Sequence, residues 1–145
     1  MRAEISPWLK LQETQSFTSK STCTVAVFGL EDSEIATGNG LTQVFSTRQG
    51  IKAIGAGQTV LFGMPGMSPT LVSEALMTKN LPQGLGLLSS GVGPVLSCVK
   101  GDELKGAIYG TLVSPAARLI YIPAGNAIIL IYPPENVAIF LRGNV

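Results

Sequence analysis

Histidine is absent from this chain, and that absence excludes more chemistry than any residue present. Without an imidazole there is no Ser–His or Cys–His nucleophile pair, no imidazole metal ligand and no imidazole general base. Charge is scarce as well: 13% of the residues are charged, and ten Lys+Arg against nine Asp+Glu leave a net +1. A protein that holds nucleic acid by neutralising phosphates carries a basic stripe, and none is present, so nucleic acid is not an expected partner. Long hydrophobic runs are also missing. Met1 to Lys10 carries no apolar stretch of the signal-peptide kind. The most apolar run, Leu119 to Tyr132, contains Pro123 and Gly125 and falls about six residues short of a bilayer span, so membrane insertion is not expected.

The two cysteines, Cys23 and Cys98, lie in apolar runs without a CxxC partner. They read as reduced thiols packed as small hydrophobes, and a zinc or redox motif is not supported. Short glycine pairs such as Gly84-Leu85-Gly86 lack the third glycine of a dinucleotide fingerprint, and no phosphate-loop pattern occurs. The acids stand mostly at turns (Glu31, Asp32, Glu34, Asp102, Glu103), where a solvated position explains them. No pair of acids facing one cleft is visible. Neither an enzyme nor a cofactor is expected.

What is present is apolar: 46% of a 145-residue chain, enough to build the core of one domain over residues 1–145. Ser6-Pro7-Trp8 predicts a short N-terminal helix carrying Trp8, Leu11 and Gln15 on one face. Thr22 to Phe28 predicts a buried strand, with Glu34 to Thr37 returning as its hairpin partner. Gly38 to Ser68 is punctuated by glycine, with a strand at Thr59 to Phe62. Ser68-Pro69 caps a helix running to Met77. Strands follow at Gly84 to Leu88, Val95 to Lys100, Ala107 to Leu112, Arg118 to Ile122 and Asn126 to Tyr132. Their short links favour an antiparallel meander. Pro133-Pro134-Glu135 then starts a helix over Asn136 to Arg142. The expected fold class is α+β: a single antiparallel sheet of five to seven strands, with the N- and C-terminal helices packed on one face. Val25, Val27, Val95, Ile108, Ile120, Ile128 and Leu130 are the expected core.

That order of elements resembles profilin, the small actin-monomer-binding protein, over roughly three quarters of the chain. Ile5 to Leu11 is similar to its aromatic N-terminal helix, and Val25 to Gly38 (VAVFGLEDSEIATG) to its first hairpin. Ser68 to Lys100 resembles its helix, proline-glycine turn and strand pair, and Asn126 to Arg142 (NAIILIYPPENVAIFLR) its last strand and C-terminal helix. The resemblance implies a cytoplasmic, cytoskeletal, monomeric protein that binds monomeric actin or an actin-like protein and regulates actin polymerisation. Its actin face would comprise Lys100, Lys105, Tyr109, Arg118, Tyr121, Glu135 and Asn136. It also implies a platform for proline-rich ligands from Trp8 and Phe140, with Ile35 where the family has a tryptophan. Because aromatics are few there, polyproline binding is expected to be weak or absent. Tyr109-Gly110-Thr111-Leu112 replaces the basic turn of many profilins, so phosphoinositide binding is expected to be weak or absent too. The alternative is a dimeric scaffold subunit of the roadblock or longin type, which also combines one antiparallel sheet with few helices.

Overall fold

A computed structural model describes residues 5–91, 95, 98–99 and 101–143. Seven strands form one mixed sheet: β1 (Leu9–Ser19), β2 (Cys23–Ile35), β3 (Leu41–Val44), β4 (Thr59–Phe62), β5 (Arg118–Ile122), β6 (Ala127–Tyr132) and β7 (Val137–Gly143). Four helices accompany them: α1 (Thr47–Gly55), α2 (Pro69–Lys79), α3 (Leu81–Gly91) and α4 (Asp102–Leu112). The spatial order is β1-β2-β7-β6-β5-β4-β3. Every neighbouring pair is antiparallel except β3 and β4, which are parallel. That exception follows from α1, which carries the chain back to the start of β4 as a crossover.

Side chains alternate across the sheet and divide the interior into two cores. On one face Val25, Val27, Leu119, Tyr121, Ile128, Leu130, Ile139 and Leu141 pack under the helices, meeting Leu76, Leu87 and Ile108. On the other, Ala26, Phe28, Ile120, Ile129 and Phe140 meet Ile5, Trp8, Leu9, Leu30 and Leu41. The chain itself covers this second face. β2 pairs with β7 only as far as Gly29↔Val137, then continues with β1 alone to Leu9↔Ile35. Register shifts along β1 bend that ribbon, as bulges do, and residues 36–40 lead it to β3 on the far edge. Trp8 closes the seam: its Nε1 donates to the Asn39 carbonyl at 3.2 Å, and its own carbonyl accepts from Ala36 N at 2.9 Å.

The β5–β6 and β6–β7 connections are the same turn made twice. Pro123–Gly125 and Pro133–Glu135 each form one 3-10 turn. Asn126 (φ 47°) and Asn136 (φ 48°) then reverse the chain in the left-handed region, which asparagine tolerates better than most residues.

All seven residues of the expected core are buried, and the single sheet has seven strands. Among the described residues, the terminal helices expected over 6–15 and 136–142 are not present. Residues 9–19 and 137–143 are strands, because each alternates across a sheet rather than following a helical stripe. Pro133-Pro134-Glu135 makes a turn, not a helix start. The expected strands at Gly84 to Leu88 and Ala107 to Leu112 lie within α3 and α4. Val95, Cys98 and Val99 belong to no strand, and Lys100 lies outside the described residues. The sheet is also not wholly antiparallel. Cys23 and Cys98 are disulfide-bonded, with Cα atoms 6.3 Å apart, which replaces the expectation of two free thiols. No helix among the described residues is long and apolar enough to cross a membrane.

Candidate functional site

A groove of about 680 Å³ lies between α4 and the β1-β2-β7 end of the sheet. Its floor is Val27, Val137 and Ile139, all on the sheet face that carries the helices. Glu103, Ala107 and Gly110 from α4 line one wall. Their spacing of four and three puts them on one stripe of the helix, beside the buried Ile108, Thr111 and Leu112 that hold α4 down. Gln15 and Ser16 of β1 form the opposite wall, and Tyr132 and Glu135 close one end.

A third carboxylate borders this groove. Gly29 lies on the same face as Val27 and pairs with Val137, so a side chain there would point toward the groove. It has none, and Glu13 occupies the space: a Cβ at Gly29 would lie 2.7 Å from Glu13 Oε1. Gln15 Nε2 donates to the same oxygen at 3.1 Å. That bond, before the backbone hydrogen bond, holds the Glu13 carboxyl below the usual glutamate range. Glu13, Glu103 and Glu135 are all solvent-exposed, and among the described residues no lysine or arginine lines the groove.

The residues expected for an actin face do not form one patch. Glu135 and Asn136 stand in the β6–β7 turn at the groove's end, where Asn136 Oδ1 accepts from Ser33 Oγ at 2.8 Å. Lys105 and Tyr109 are exposed, but their positions put them on the flank of α4 away from the groove, at about 100° per residue. Arg118 borders a separate pocket of about 280 Å³ with Phe62, Met64 and Met67. Tyr121 is buried, and burial pushes its phenol above the usual tyrosine range. Lys100 lies outside the described residues.

The expected polyproline platform is interior. Phe140 is 0% exposed, with the Arg142 guanidinium 5.1 Å from its ring centre. Trp8 is 8% exposed, and Ile35 packs against the same second core. A peptide on the surface cannot stack on Phe140. Phe140 lies in a strand and Trp8 in the turn before β1, so neither stands on a helix.

Sequence reasoning placed Gln15 on a helix face and passed over Glu13 and Ser16, because the stretch after Ser6-Pro7 read as a helix and not as a strand. It missed Glu103 because that acid read as a solvated turn position, and Ala107 and Gly110 because residues 107–112 read as a strand, although the four-three spacing was a usable signal. Among the described residues, no group of three or more His, Cys, Asp or Glu could hold a metal ion. No family model, curated protein or solved structure matches this chain.

Proposed function

We propose that this protein is a non-catalytic binding module that takes part of a protein partner into the groove between α4 and the sheet. The supporting observation is the groove itself, about 680 Å³ with an apolar floor and polar walls, the form that ligand and side-chain recognition sites take. Nucleophile chemistry has little to draw on here: the chain has no histidine, and both cysteines are buried.

An actin monomer or actin-like protein, the partner that the profilin resemblance implies, is the first to test. A partner large enough to straddle α4 would touch Glu135 and Asn136 at the groove and Lys105 and Tyr109 on the outer flank. A cytoplasmic, cytoskeletal setting belongs to this reading. It would keep Cys23 and Cys98 reduced, so the fold must then stand without their bond. Proline-rich ligands and phosphoinositides are expected to bind weakly or not at all.

The test is Ala107→Trp, which fills the groove from an exposed helical position. Partner capture should fall at least tenfold while the circular dichroism spectrum is unchanged. Undiminished capture would exclude the groove. Unchanged actin polymerisation at excess wild-type protein would exclude actin alone. The dimeric scaffold reading predicts a dimer by light scattering. A monomer is expected instead, because the bulged β1 edge and its exposed Lys10 discourage strand-to-strand pairing.

A further inference from the structure

The groove has a charge pattern as well as a shape, and that pattern specifies an occupant. Glu103 from α4 and Glu135 from the β6–β7 turn line it, and Glu13 from β1 stands beside it, over Gly29 and bonded to the lining residue Gln15. Among the described residues, no cation lines the groove to neutralise them. The nearest lysine on α4, Lys105, stands on the helix's other flank. Lys10 is engaged by Asp32 and Glu34, at 3.2 and 3.4 Å. Between the carboxylates the floor is aliphatic, with Val27, Val137 and Ile139.

We propose that the groove binds a segment of a protein partner in which arginine or lysine alternates with apolar residues. An arginine suits both parts of the surface. Its methylene stem lies along the aliphatic floor, while its guanidinium reaches a carboxylate at the rim. The apolar residues between the cations fill the space over the floor. An acidic segment would meet three like charges and be rejected. Gly29 serves this arrangement, since a side chain there would displace the Glu13 carboxylate. This inference rests on the groove being the partner-binding site.

The experiment uses three acetylated hexapeptides in which leucine alternates with arginine, serine or glutamate. They are titrated into the full chain, with amide shifts of Val27, Ala107 and Val137 as the readout of groove occupancy. The arginine peptide should bind about tenfold more tightly than the serine peptide, the combined effect of a few exposed charge pairs. That advantage should shrink at high salt. The triple variant Glu13→Gln, Glu103→Gln, Glu135→Gln changes only exposed side chains and should remove the arginine peptide's advantage over the serine peptide. If the arginine and serine peptides bind the groove equally, the charge inference is overturned while the groove reading stands. If no peptide moves groove amides, both are overturned. Spermine binding as tightly as the arginine peptide would overturn the assignment to a protein segment.

Discussion

Ser90 Oγ donates to Asn126 Oδ1 at 2.7 Å, joining the end of α3 to the β5–β6 turn. Asn126 Nδ2 in turn donates to the Gly143 carbonyl at 3.0 Å, so one side chain ties a helix, a turn and the last strand together. Asn126→Ala loses these bonds and places alanine in the left-handed region. It should cost about 2–3 kcal/mol, combining roughly 1 for hydrogen bonds with 1–2 for the backbone. Asn126→Gly keeps the backbone freedom and should cost about 1 kcal/mol. Urea melts of the two variants separate the contributions; equal losses would show that φ does not matter here.

The α2–α3 hairpin depends on a missing side chain. A Cβ at Gly84 would lie 2.5 Å from the backbone nitrogen of Met77, and backbone cannot swing aside. Gly84→Ala should therefore destabilise the fold by about 1–3 kcal/mol or more, as overpacking does. Gly106 in α4 is the control, with nothing within 4 Å of a Cβ. Gly106→Ala should stabilise by about 0.5–1 kcal/mol through helix propensity alone. Opposite shifts in thermal midpoint are the expected result.

Reducing the disulfide should lower stability substantially. Cys23 and Cys98 are separated by 75 positions, and in the chain-entropy picture a loop of that size contributes about 4.5 kcal/mol. Denaturant melts with and without reductant measure it. A change below about 1 kcal/mol would mean that the unfolded chain gains little freedom when the bond opens.

Much of this fold was legible where one signal dominated. Ser68 caps α2 by accepting from Leu71 N, as its sequence Ser-Pro-Thr-Leu announces. Thr59–Phe62 and Arg118–Ile122 are strands at the bounds their β-branched and apolar residues mark. The glycine-rich stretch concealed α1, and short apolar runs at 84–88 and 107–112 fit either period. The last element was readable in principle. Pro123 to Asn126 and Pro133 to Asn136 are spaced ten apart, so the second proline turn could have been recognised as another hairpin. The groove was not legible, because Glu13 reaches it only through the absence of a side chain on Gly29.

Lys10 lies between Asp32 and Glu34 on the surface, and this cluster titrates at both ends of the pH scale. The Glu34 backbone N–H, then Lys10, hold the Asp32 carboxyl below its ordinary value of 3.8. Its contribution is therefore present above that value and lost as pH falls through the lowered midpoint. The hydrogen bonds that Lys10 donates to Asp32 and Glu34 raise its pKa above 10.5, so its contribution is present below 10.5 and lost as pH rises through the raised midpoint. Carboxyl NMR titration should give an Asp32 midpoint below 3.8. In Lys10→Met it should return only partway, since the Glu34 N–H still donates. Full return would assign the depression to the lysine instead.

β7 lies between β2 and β6, pairing Cys23 with Gly143 on one side and Tyr132 with Val137 on the other. Seen from the ribosome, the N-terminal hairpin and the β3-to-β6 half emerge as two unjoined pieces. The apolar edge Val25–Phe28 waits for a partner more than a hundred residues further along. Residues 137–143 act as a keystone, and the sheet becomes one body only after they are released. Until then a nascent chain presents an open, apolar strand edge, the kind of exposure that makes late-closing sheets slow to fold and prone to aggregate.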